Sequence, residues 1–186
     1  MATLIIDAEE ERDVSKIDVP GAFLQTASKP GNYNKFTGSM VDILCQLNPK
    51  LYTEFVTLDN GRKVIYTEAS KAMYGMVDSA FLFWLHLSRF LEEQGFELNP
   101  YDICCMNKEI DGTMCTIVRH VDDIKASKVD PKVIDTIIGV LQEKFGKHAP
   151  LTFTRGNVHE YLGMCIDLSI KGKVMITMIN MMLPGC

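Results

Sequence analysis

What this 186-residue chain lacks narrows it first. Its 6 cysteines, at positions 45, 104, 105, 115, 165 and 186, form no CxxC pair and meet no HxxxH segment, so a zinc site has no spacing to rest on. Cys104, Cys105 and Cys115 lie in apolar, strand-like runs and read as small buried hydrophobes of a reducing compartment. No apolar run reaches bilayer length, and Met-Ala-Thr-Leu-Ile-Ile-Asp lacks the basic start and apolar stretch of a signal peptide. The expectation is an intracellular, cytoplasmic, soluble chain with no membrane partner. Positive charge is also short: 19 Lys+Arg against 24 Asp+Glu give a net charge of -5, which argues against a uniformly basic nucleic-acid surface but leaves room for a local basic groove.

What is present is a foldable composition. With 47% apolar and 23% charged residues, the chain can bury a core as one domain, and neither disorder nor a coiled coil fits. Lys16 to Asp18 closes a short apolar strand that Pro20-Gly21 breaks, with a helical turn to follow. Polar residues from Ser28 to Ser39 predict a loop. Val41, Leu44, Leu47, Leu51 and Phe55 keep a helical period that Pro49 interrupts, so two short helices are expected. Asp59-Asn60-Gly61 predicts a hairpin, since Asn and Gly tolerate positive φ.

Two longer helices stand out. One is capped by Asp78, carries Ala80, Trp84, Leu87 and Leu91 on one face with Phe83 and Phe90 beside it, and closes at Gly95. The other opens at Asp130-Pro131, carries Val133, Ile134, Ile137, Ile138, Leu141 and Phe145, and stops at Gly146. Between them, strands at Ile103 to Met106 and Thr113 to Val121 turn at Asp111-Gly112, and a third begins at Ile124. Tyr161 to Leu168 and Lys173 to Met178 predict a last hairpin around Lys171-Gly172. Helices interspersed with hairpins predict an α+β fold, an antiparallel sheet packed on helices.

The chemistry concentrates at strand ends. Asp122-Asp123 follows the apolar strand Cys115-Thr116-Ile117-Val118, and Asp18 ends another. Aspartates are common in plain turns. If the two strands are neighbours, however, Asp18 and Asp122 converge, and carboxylates so placed repel one another unless a cation neutralises them. Oxygen ligands without His or Cys select Mg²⁺ or Mn²⁺. Two such ions, about 3.5–4 Å apart in known sites, serve phosphoryl or nucleotidyl transfer.

Several ordered motifs carry a resemblance. Asp18-Val19-Pro20-Gly21-Ala22-Phe23-Leu24 resembles motif A of reverse transcriptases from copia-like retrotransposons, and His120-Val121-Asp122-Asp123 resembles their motif C, usually Tyr-Val-Asp-Asp. Lys71-Ala72-Met73-Tyr74-Gly75-Met76, leading into Phe83-Trp84, is similar to the family's Leu-Tyr-Gly-Leu segment and motif B helix. Gly95-Phe96, Asn99-Pro100-Tyr101-Asp102 and Tyr161-Leu162-Gly163-Met164 follow in the family's order, so the resemblance runs from about Leu4 to Met178.

The resemblance implies a reverse-transcriptase/polymerase palm and an RNA-directed DNA polymerase, acting on an RNA or DNA template with primer and on deoxynucleoside triphosphates. It implies Asp18, Asp122 and Asp123 as catalytic residues. Two Mg²⁺ ions, with Mn²⁺ as a substitute, would be held by Asp18, Asp122, Asp123 and the Val19 carbonyl. Phe23 would lie under the incoming sugar and exclude a 2′-hydroxyl, with Asp78 and His120 also at the substrate. Asp78 stands where the family usually has Gln, and an acid there either repels phosphates or caps the helix. His120 replaces the usual Tyr, facing the primer end or packing beside Arg119. Lys125, Lys128 and Lys132 could touch primer phosphates, although solvated surface lysines are the default. His148 and His159 read as surface-loop residues.

Residues 1–178 are thus expected to be a palm with truncated fingers and without thumb or RNase H, completed by other segments of a retrotransposon polyprotein in a virus-like particle. Residues 179–186 read as an atypical, frameshifted or truncated tail. Two other readings stay open. One is a non-catalytic palm remnant that binds nucleic acid or a partner through exposed apolar surface. The other is an unrelated two-metal phosphohydrolase, which requires a deep small-molecule pocket.

Overall fold

From Lys16 to Asp18 half-buried and buried positions alternate, the period of a strand, and Asp13 to Asp18 forms an inner strand of the chain's main sheet, one place from its edge. The structure, a computed structural model, describes residues 2–178, so the tail at 179–186 lies outside the described residues. Helix α1 (Ala2–Glu9) precedes β1 (Asp13–Asp18), and a 3-10 turn at Ala22–Gln25 follows Pro20-Gly21. Next come β2 (Tyr33–Thr37), α2 (Ser39–Leu47), α3 (Pro49–Tyr52), β3 (Thr57–Asp59) and β4 (Arg62–Glu68). Helix α4 (Ser79–Glu93) leads to β5 (Glu97–Leu98), β6 (Cys105–Ile110), β7 (Thr113–His120) and β8 (Asp123–Lys128). The chain continues with α5 (Pro131–Phe145), β9 (Thr152–Arg155), β10 (Val158–Tyr161), β11 (Met164–Asp167) and β12 (Met175–Thr177).

The main sheet has six strands in the order β5-β6-β7-β8-β1-β9, every pair antiparallel. Strand alternation sends Met106, Ile117, Ala126, Ile124 and Ile17 to one face, where they meet Phe83, Leu87, Ile134, Ile138 and Leu141 of α4 and α5 in one core. This is an α+β arrangement, an antiparallel sheet packed on helices. The opposite face carries Asp18, Asp123, His120, Lys16 and Lys125, by the pairings Asp18 to Asp123, His120 to Asp123 and Lys16 to Lys125. A second sheet, β10-β11-β12, packs Tyr161 and Ile166 on Leu4 of α1. The third sheet, β2-β4-β3, packs against α2, which in turn meets α3.

Four sequence expectations are corrected. The stretch from Ser28 to Ser39 is not all loop: Tyr33–Thr37 pairs with β4, a distant partner that supplies the ladder its polar side chains do not advertise. The buried face of α4 centres on Phe83, Leu87, Phe90 and Leu91, while Ala80 and Trp84 lie at its margin. The buried Arg119 explains the offset, stacking on Trp84 at 5.3 Å and donating to Ser88 Oγ at 2.5 Å. Tyr161 ends β10 instead of opening β11, because Leu162 (φ 52) and Gly163 (φ 74) make a turn there. Finally, the apolar stripe on α2 and α3 is not buried: Val41 is, but Leu47, Leu51 and Phe55 face solvent.

Candidate active site

The end of a buried strand and a tight turn bring the carboxylates together. Strand β1 runs antiparallel to β8 with Asp18 directly opposite Asp123, and β7 places His120 opposite Asp123 on the other side. His120, Asp123 and Asp18 therefore form one cross-strand row at one end of the sheet, with Asp122 in the turn beside it. That turn is strained. Only Val121 and Asp122 link β7 to β8, and Val121 has φ 57, a left-handed conformation that a β-branched residue rarely adopts.

Each carboxylate has a different partner. Asp123 faces Lys16 Nζ at 3.1 Å, and the two side chains are 24% and 29% exposed. Asp122 Oδ2 accepts a hydrogen bond from the Tyr74 hydroxyl at 3.1 Å. The Asp18 carboxylate accepts from the Thr152 hydroxyl at the long distance of 3.5 Å. Burial raises the Asp18 carboxyl above 3.8, and the charges of Asp122 and Asp123 raise it further against the opposing Lys16 and Thr152. The Tyr74 hydroxyl is likewise pushed up, by burial first and then by its bond to Asp122 and the nearby charges.

The donor set fits a hard cation shared with phosphates. Among the described residues no three His, Cys, Asp or Glu side chains enclose a metal position by themselves. Mg²⁺ does not require such a cage, since it is commonly bound by one or two carboxylates with waters and substrate phosphates completing the octahedron. Asp18, Asp122 and Asp123 are oxygen donors that repel one another at a sheet end, the donor type that chemistry uses, with Lys16 and His120 standing beside them. The Val19 carbonyl already accepts the Ala22 N–H at 3.1 Å, which leaves one of its lone pairs.

The remaining expected site residues fall into place unevenly. Phe23 is only 6% exposed, packed in the core, with the Tyr74 ring 4.4 Å away and tilted 49°. The exposed aromatic surface at the site is Tyr74, at 61%. Asp78 sits at the N-cap position of α4 but its side chain caps nothing; it pairs with Lys29 at 3.0 Å instead. That cation offsets the charge that would repel phosphates. His120 is exposed on the carboxylate face, whereas Arg119 points to the helices, so the two do not pack together.

Lys125 and Lys128 correct the expectation of solvated lysines. Lys125 is buried against Asp7, and Lys128 is buried with its ammonium on the Ile110 and Thr113 carbonyls at 2.5 Å, while Lys132 is exposed. His159 is also buried rather than on a surface loop, its Nε2 2.6 Å from the Gly156 carbonyl, while His148 is exposed. Cys105 and Cys115 are buried as expected, whereas Cys104 is only half-buried, and burial pushes the Cys105 and Cys115 thiols up to about 11.

Sequence reasoning gave Tyr74 and Lys16 no role. Tyr74 lies 48 residues from Asp122 in the chain, and the only signal was its place in the Tyr-Gly segment. Lys16 stands two residues before Asp18, so strand alternation puts both on one face, a signal that was available.

Two cavities bear on the chemistry. A cleft of about 360 Å³ beside the carboxylates is lined by Lys16, Asp123, Glu160 and Leu162 to Cys165. A larger one, about 460 Å³, lies between α4 and α5 near Lys108 to Asp111, at the opposite end of the sheet. The larger cavity is therefore remote from the aspartates, and the cleft beside them is the smaller of the two.

No family model matches the sequence, and no curated protein matches it. Among solved structures the chain overlaps apo telomerase from Candida tropicalis, truncated from the C-terminal domain, at 9% identity and a TM-score of 0.46, covering 94% of this chain and 38% of that one. It also overlaps telomerase from Candida albicans in complex with a TWJ fragment of telomeric RNA, at 11% identity and a TM-score of 0.43, covering 89% of this chain and 32% of that one. The chain thus spans well under half the length of either.

Proposed function

We propose that this chain is the palm portion of a reverse transcriptase of copia-like type, an RNA-directed DNA polymerase that extends a primer on a template. What supports the reading is the pairing of Asp18 with Asp123 beside the strained Val121-Asp122 turn, which gathers the motif A and motif C carboxylates at one sheet end. In this reading Asp18, Asp122, Asp123 and the Val19 carbonyl hold two Mg²⁺ ions, or Mn²⁺ in their place. When bound, the ions acidify the primer hydroxyl and stabilise the departing charge.

The protein's own residues orient the reactants. A bond forms between the primer 3′-oxygen and the α-phosphorus of a deoxynucleoside triphosphate, and the bond to the bridging oxygen breaks, releasing pyrophosphate. In this reading the exposed Tyr74 ring, resting on buried Phe23, forms the aromatic floor on the sugar side. Lys16 offsets part of the charge on Asp123, and Lys29 that on Asp78. Other segments of a polyprotein supply the rest of the template grip in this reading, within a virus-like particle. Among the described residues no helix is long and apolar enough to cross a membrane.

Primer extension on poly(rA) with oligo(dT), dTTP and Mg²⁺ or Mn²⁺ tests the reading. Wild type should extend the primer, and Asp122→Ala should lose at least on the order of 10²-fold in rate. A folded wild type that binds the duplex without extending it supports the second reading, a non-catalytic nucleic-acid or partner-binding palm. The exposed Leu47 (76%), Leu51 and Phe55 favour that alternative.

A further inference from the structure

We propose that Tyr74 is the positioning residue for Asp122: its hydroxyl holds one carboxylate oxygen so that the other is presented to a divalent cation. The inference rests on the metal reading above and adds a residue to it. Tyr74 donates to Asp122 Oδ2 at 3.1 Å, and that bond leaves the second carboxylate oxygen for another partner. Asp123 faces the cationic Lys16, whereas Asp122 accepts from a neutral hydroxyl. A neutral donor orients a carboxylate without cancelling its charge, as an outer-shell partner of a metal ligand does.

The hydroxyl is fixed although the ring is exposed. On one side Ala72 is fully buried and its N–H donates to the Thr26 carbonyl at 3.0 Å. On the other, the Ser79 hydroxyl at the start of α4 donates to the Met73 carbonyl at 2.6 Å. The Tyr74 ring rests on buried Phe23. Backbone anchors and a ring support thus aim the hydroxyl before any ligand arrives, and Gly75 at φ 93 turns the chain away behind it.

Tyr74→Phe removes the hydroxyl and keeps the ring. Mn²⁺ binding to the full chain, read from the electron paramagnetic resonance signal of free Mn²⁺, should weaken about tenfold in this variant. Its melting temperature should stay within about 2 °C of wild type, because the ring that rests on Phe23 is kept and nothing in the core moves. Equal or tighter Mn²⁺ binding by Tyr74→Phe overturns the positioning role while leaving the metal reading intact. A wild type that binds Mn²⁺ no better than Asp122→Ala overturns the metal reading and the proposal with it.

Discussion

Two aspartate–lysine pairs stand side by side on one face of β8, and they differ in almost everything but composition. Lys125 pairs with Asp7 of α1, and their side chains are 4% and 0% exposed. Two residues earlier, Asp123 pairs with Lys16 of β1 at 24% and 29%. The first pair is shut away and pins the amino-terminal helix to the sheet, although burial still pulls the Lys125 ammonium below its ordinary value. The second is open, and beside it Asp18 and Asp122 carry charge that a single lysine does not balance. The same two residue types therefore build a structural joint where water is excluded and an open acidic rim where it is not.

Breaking the buried pair should have the larger effect on stability. Lys125→Met leaves Asp7 without its ion-pair partner in a dry site where its Oδ1 already lacks a hydrogen-bond partner, which should cost about 3–5 kcal/mol in urea unfolding. Asp7→Leu combined with Lys125→Met should recover most of that loss. If the single variant costs under about 1 kcal/mol, the pair is not the joint described here.

The open pair should respond the other way round. Lys16→Met should change stability by less than about 1 kcal/mol. It should also tighten Mn²⁺ binding about two- to fivefold, since one positive charge leaves the rim. Weaker Mn²⁺ binding would erase the contrast between the pairs.

The smallest effect is expected from Asp18→Asn. The Asp18 carboxyl titrates above 3.8 because burial, then Asp122 and Asp123, disfavour its ionised form. The folded chain therefore binds this proton more tightly than the unfolded one, so the penalty is absent below pH 3.8 and complete once pH exceeds the raised value. Asp18→Asn should raise the melting temperature by about 1–3 °C at neutral pH, with the gain vanishing near pH 3. A gain that persists unchanged at low pH would show that repulsion at the rim is not its cause.

Much of this contrast was written in local pattern. The α5 face from Ile134 to Phe145, the Asn60-Gly61 hairpin (φ 49 and 75) and the break at Pro49 were all legible, because period, turn chemistry and a missing N–H act over a few residues. Asp18 and Asp122-Asp123 were legible as strand-end carboxylates. Strand β2 was not, since a polar stretch becomes a strand only when β4 offers its edge. Nor were the burial of Lys125, Lys128 and His159, where tertiary partners outweigh the usual solvation of such side chains.

The amino-acid sequence by itself determined where strands end in aspartate, which helices carry an apolar stripe and where the chain must turn, because these follow from side-chain chemistry over short spans. Tertiary structure alone decided that Asp18 lies opposite Asp123, that Tyr74 reaches Asp122 across 48 residues, and which lysine on the β8 face meets water. Electrostatic character depends on distance and on exclusion of solvent, and both are set only when distant segments close around the same point.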